Sequence, residues 1–93
     1  MKIRVSCEDK YEAQKLASLV FLKESNETFI TEILNIVENE LVVALKDKSA
    51  HSVMLKDISN VEAFADFLQS VIEKEHKIID TATFDSDVEI IKE

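Results

Sequence analysis

The chain runs for 93 residues without one glycine or proline, and that double absence constrains it more than any residue it contains. At average usage near 7% and 5%, missing both at this length is on the order of a one-in-10⁵ occurrence. Glycine is how a backbone enters φ > 0 without strain, turns sharply beside a metal or closes around a phosphate. The P-loop, the dinucleotide fingerprint, the EF-hand loop and the nucleophile elbow all depend on it, and each is excluded here. Every turn must be made by Asn, Asp, Ser or Lys. That predicts open type I turns in place of tight primed hairpins.

Size and charge narrow the function classes. At 46% hydrophobic residues the chain is too apolar for disorder, and 1–93 is read as a single compact domain burying about 60–65% of its unfolded surface. Cys7 is the one cysteine, so no intramolecular disulfide forms. The stretch Met1–Cys7 has cations but no apolar run behind them, and no segment approaches the ~18 apolar residues of a membrane span. The expectation is a complete cytoplasmic chain. The net charge of −8 is unevenly placed: residues 1–25 hold Lys2, Arg4, Lys10, Lys15 and Lys23 against Glu8, Asp9, Glu12 and Glu24, and all the excess acid follows. Direct binding to nucleic acid or an anionic membrane needs a basic surface and is not expected. A basic protein partner fits the sign.

Along the chain, Ile3, Val5 and Cys7 alternate with Lys2, Arg4 and Ser6, the pattern of a half-buried strand. Asp9 and Glu12 have capping-box spacing, which predicts a helix from about Lys10 to Glu24. Within Thr28–Asp47, apolar residues recur every four positions, but eight residues are β-branched. The second feature favours two antiparallel strands, 28–37 and 40–47, over one long helix. A strand His51–Asp57 follows. Ser59 and Glu62 read as a second capping box with Ile58 and Ala63 as its staple. Val61, Phe64, Ala65, Leu68, Val71 and Ile72 trace the apolar stripe of a helix ending near His76. Ile78–Phe84 and Val88–Ile91 read as extended around Asp85-Ser86-Asp87, and no internal repeat is visible. The expected fold is α+β, in the order β-α-β-β-β-α-β with the C-terminal arm counted once. It has an antiparallel sheet of four to five strands with two helices on one face. The alternative is mainly α, if 28–47 is one helix.

No constellation reads as catalytic or metal-binding. Nothing in the spacing ties His51 or His76 to Cys7, so Cys7 reads as a small structural hydrophobe. Asp85-Ser86-Asp87-Val88-Glu89 lacks the glycine and the distal glutamate of a calcium loop. No cofactor is expected. The most suggestive pattern lies on the second helix, where Glu62, Asp66 and Glu73 fall within ~40° on a helical wheel, opposite the apolar stripe. No lysine stands at i+4 from the first two. Phe67 borders that ridge as a candidate anchor for a basic partner, and Asp80, Asp85, Asp87 and Glu89 extend the acidic theme.

These features lead to a non-enzymatic, protein-binding inhibitor that covers a basic, nucleic-acid-binding surface. The profile is similar in type to phage- or plasmid-encoded anti-defence proteins and to immunity proteins and antitoxins; a phage-encoded chain would work in its host's cytoplasm. That likeness carries no residues across. The alternative expectation is a structural or adaptor subunit that self-associates through a sheet edge or the apolar end of the first helix.

Overall fold

The computed structural model describes residues 1–22 and 28–93. It is α+β, in the order β1 (Lys2–Ser6), α1 (Lys10–Val20), β2 (Ile30–Val37), β3 (Glu40–Leu45), β4 (Ala50–Met54), α2 (Ile58–Ile72), β5 (Ile78–Phe84) and β6 (Asp87–Lys92). The span 28–47 is extended, as its β-branched residues require on a pleated surface; the mainly α alternative is not supported. The C-terminal arm is a hairpin of two strands. In place of one sheet there are two antiparallel sheets of three strands, ordered β1-β6-β5 and β2-β3-β4.

That order is βαββ written twice, a repeat the sequence does not announce. The hydrogen bonds of one copy retrace those of the other. Asp9 accepts from the Glu12 amide at 2.9 Å, and Asp57 accepts from the Asn60 amide at 2.9 Å. The Cys7 amide donates to the Ser86 carbonyl at 2.8 Å, and the Leu55 amide donates to the Asn39 carbonyl at 2.8 Å. Matching the copies along these bonds pairs identical residues at Val5 and Val53, Asp9 and Asp57, Ala17 and Ala65, and Ile30 and Ile78, with different residues almost everywhere else. The side chains of the two copies differ while the backbone pattern repeats.

The copies are exchanged within the molecule. Each sheet takes a hairpin from one copy and a lone strand from the other: β1 flanks the β5–β6 hairpin, and β4 flanks the β2–β3 hairpin. The helices follow suit, α1 lying against β5 and β6 and α2 against β2. The sheets meet where Cys7 and Leu55 form an antiparallel bridge, closed by Glu8 N–H to Met54 O and Lys56 N–H to Ser6 O, both 3.0 Å. Period-2 alternation turns Val5, Val88 and Ile90 inward from one sheet and Leu41, Val43 and Val53 inward from the other. They join Leu16 and Val20 of α1 and Phe64, Leu68 and Val71 of α2 in one cluster. Each such side chain contributes about 1.5–3 kcal/mol by leaving water.

Several boundaries differ from the sequence reading, each for a local reason. Helix α1 stops at Val20, because Phe21 turns extended (φ −148°, ψ 128°) and buries its ring; the expected end at residues 23–24 lies outside the described residues. The cap of α2 is Asp57, not Ser59, and Ile58 is a half-exposed first-turn residue and no staple. A carboxylate at 57 reaches the Asn60 amide as well as a serine two residues later could reach its own target. Helix α2 ends at Ile72, short of His76, where Lys74 takes the left-handed position (φ 64°) usually given to glycine. The hairpins also depart from type I geometry: Glu38 (φ 55°) and Asp85 (φ 54°) are left-handed at equivalent places in two-residue turns. The right-handed twist of paired strands favours that geometry, and the ladders outweigh the cost of about 1–2 kcal/mol per non-glycine residue.

Candidate functional site

The solvent side of α2 is built by its cap and its stripe. Asp57 fixes the helix start, the apolar positions turn Phe64 and Leu68 into the core, and Glu62, Asp66 and Glu73 are left exposed. Between Ile58 and Ile72 there is no lysine or arginine, and among the described residues none of the three carboxylates has an ion pair or hydrogen bond. The three form an uncompensated anionic ridge. Phe67, expected beside it as an anchor, is 8% exposed and belongs to the core. Its ring lies 6.4 Å from the His76 imidazole at 25°, with the Lys92 ammonium 5.8 Å from its centroid. The helix turns slightly more of its circumference inward than the stripe implied, since the hairpin ends close over its last turns.

The C-terminal acids are not one continuous face with this ridge. Strand β6 is the centre of its sheet, and its alternation sends Asp87 and Glu89 to the side away from the core. There they meet the cations of β1 in register: Arg4 Nε to Asp87 at 3.0 Å and Lys2 Nζ to Glu89 at 3.6 Å. Arg4 also stacks over Phe84, 5.4 Å from the ring centroid, and that ring is half exposed. Asp80 accepts from the Thr81 amide at 2.8 Å, and Asp85 sits exposed in the turn. Arg4 and Phe84 were missed as surface features because their meeting depends on the β1-β6-β5 order, which no local pattern encodes.

The polar clusters argue against simple nucleophile chemistry. Cys7 is buried at the sheet junction, and desolvation, reinforced by Glu12, Asp87 and Asp9, pushes its thiol up to about 12. A thiol held neutral in this way is a poor nucleophile, and His51 lies at the far end of β4 from its bridge partner Leu55. The chain Asp47–Ser49–His51 has the residue types of a triad in the wrong order. The Ser49 hydroxyl donates to Asp47, and His51 Nε2 stands 2.9 Å from the Ser49 oxygen. The carboxylate thus binds the hydroxyl where a triad needs it to orient the imidazole. Asp47 also accepts from the Ser49 amide, and these bonds hold its carboxyl below the usual range. The arrangement shapes the turn between β3 and β4. Among the described residues, no three His, Cys, Asp or Glu side chains converge as metal ligands. No helix is long and apolar enough to cross a membrane.

Compared with known proteins, the chain matches no family model, no curated protein and no solved structure.

Proposed function

We propose that this is a non-catalytic binding protein that docks the α2 ridge of Glu62, Asp66 and Glu73 on a basic surface of a partner protein, in the manner of a small inhibitor that occludes a nucleic-acid-binding face. One observation carries the reading: Glu62 and Asp66 on α2 and Glu73 at its C-cap are exposed and have no ion pair among the described residues, and the helix itself holds no cation. Asp87 and Glu89 differ from them, being partnered by Arg4 and Lys2 on the outer sheet face. An anionic ridge of this kind speeds encounter with a basic patch and makes association salt-sensitive. The reading places no direct contact with nucleic acid and no cofactor on this chain.

The test uses an immobilised basic nucleic-acid-binding domain, with duplex DNA as competitor. Wild type is expected to bind, to lose association rate as salt rises, and to be displaced by DNA. The triple reversal E62K/D66K/E73K is expected to associate at least about tenfold more slowly. Unchanged association of the triple variant overturns the reading.

A second reading, a self-associating structural subunit, draws on β2. This edge strand leaves Leu34, Ile36 and Val37 about half exposed. Its register shifts, between Ile30 and Glu32 and between Ile33 and Asn35, interrupt the edge, and bulges of this kind hinder strand-to-strand pairing. Sedimentation at two salt concentrations separates the readings: a salt-insensitive oligomer supports this second one, and a monomer supports the first.

A further inference from the structure

The two hairpin turns and the Cys7–Leu55 bridge gather at one pole of the molecule, where backbone hydrogen bonds stitch the copies together. At the other pole the open ends of both hairpins converge with the end of α2 on a cleft of about 740 Å³, a size suited to a small molecule. Ile30 and Ile78, equivalent residues of the two copies, line it together with Val71 and Ile72 of α2. All four are buried or half-buried and give the cleft an apolar floor. Its rim is cationic. Lys46 follows β3, Lys74 stands one residue past the Glu73 cap of α2, and Lys77 precedes β5 beside the His76 imidazole, while Glu93 is the one acid lining it among the described residues. The stack on Phe67 sets the His76 ring in place, and the Lys77 carbonyl is tied to the Glu93 amide at 2.9 Å.

This polarity runs against the rest of the molecule. In a chain of net charge −8, the general field repels anions, yet the charged side chains lining this cleft among the described residues are Lys46, Lys74 and Lys77 against Glu93. One lysine at the helix end is enough to offset the C-terminal dipole of α2; Lys77, which precedes β5, is not placed by that need.

We propose that this cleft binds a small soluble amphiphilic anion, its carboxylate or phosphate head at Lys74, His76 and Lys77 and its apolar body on Ile30, Val71, Ile72 and Ile78. The head makes charge-assisted hydrogen bonds at the rim, and the body gains by leaving water. This site is independent of the α2 ridge and does not rest on the reading given above.

The probes are octyl phosphate, octanoate, octanol and inorganic phosphate, each below its aggregation limit, titrated into the 93-residue chain with amide and isoleucine-methyl NMR detection. Either octyl anion is expected to shift Ile30, Ile72, Ile78 and Lys77 signals saturably, and to bind at least about tenfold tighter than octanol or inorganic phosphate. Lys74→Glu combined with Lys77→Glu is expected to weaken it about tenfold or more, with the denaturation midpoint confirming the fold. Lys77→Ala serves where the double variant is unstable. Glu38→Lys, in the exposed β2–β3 turn at the opposite pole, is expected to leave octyl-anion binding unchanged. Equal binding of octanol, equal binding of bare phosphate, or shifts confined to other surfaces overturns the proposal. So does retention on phosphatidylglycerol vesicles without binding of the monomeric anions.

Discussion

The two βαββ halves share a skeleton and differ in almost everything laid over it. From Met1 to Ser49 there are seven cations and nine acids; from Ala50 to Glu93 there are four and ten. Helix α1 carries Lys10 and Lys15 beside its single acid, Glu12, whereas the only charged residues of α2 are Glu62 and Asp66. At matching places on the edge strands, β2 exposes Leu34 and Ile36 where β5 has Thr81 and Thr83. What stays constant is a short set of position-specific bonds: an aspartate capping each helix, a left-handed residue in each hairpin turn, and one brace across the junction in each direction. In the first brace the Met54 amide donates to Glu12 at 2.8 Å, and in the second the Ser6 amide donates to Asn60 at 3.0 Å. Glu12 and Asn60 occupy the same place on their helices, and each reaches into the strand of the other copy. The lesson is that hydrogen-bond geometry at a few backbone positions preserves this fold, and the surfaces are left free to take different roles.

The most severe way to break the comparison is through the core. Leu16 and Phe64 are equivalent and both fully buried. Phe64→Ala is expected to cost about 3–5 kcal/mol and Leu16→Ala about 2–5 kcal/mol. Because the exchanged strands make one cluster, both variants should shift a single denaturant transition. Two separable transitions would show that the halves fold as independent units.

Next come the braces. Glu12→Ala strands the Met54 amide and Asn60→Ala strands the Ser6 amide, each part-buried, for an expected loss of about 1–3 kcal/mol apiece. Hydrogen exchange at Met54 and Ser6 should quicken in the corresponding variant only. A loss at one brace with none at the other would mean that one half supports the junction alone.

A smaller change should be favourable. Glu38→Gly and Asp85→Gly relieve left-handed strain at matching turns, and each is expected to raise stability by about 1 kcal/mol, read as a higher denaturation midpoint. Equal gains would sharpen the equivalence of the hairpins; a gain at one alone would show that the other turn is held by contacts outside the repeat.

The mildest test uses acid. Bonds from the Asn60 amide and side chain hold the Asp57 carboxyl below its ordinary 3.8. A depressed folded value contributes stability that is present above the unfolded value and is lost as pH falls through the folded one. Asp57→Asn keeps a good cap but should flatten the acid limb of a melting-temperature profile below about pH 4. An unchanged limb would assign the acid loss to other carboxylates.

Much of the local structure was legible before any coordinates. The β-branched run from Thr28 marked a hairpin, the stripe from Val61 to Ile72 marked α2, and Asp9 marked the start of α1, because each signal depends on neighbours within a turn or two of chain. The acidic ridge was equally legible, since Glu62, Asp66 and Glu73 lie opposite that stripe by helical geometry alone. Ser59 misled because two capping residues compete within one turn, and propensity does not choose between them. Phe67 misled because it stands at the border of the stripe, where burial depends on what closes over the helix end.

By itself, then, the sequence determined the types of element and the apolar stripe of α2, whereas the expectation that Asn, Asp, Ser or Lys make every turn failed at Glu38, which takes a left-handed hairpin position. Only the tertiary structure decided that β1 pairs with β6, that β4 pairs with β3, that Arg4 and Lys2 answer Asp87 and Glu89, and that the whole is one unit written twice. Those pairings join residues as far apart as Lys2 and Ile91. Strand ladders are made by backbone groups that every residue carries, so no side-chain pattern in one strand names its partner; the choice is made when both inner faces close over a single core.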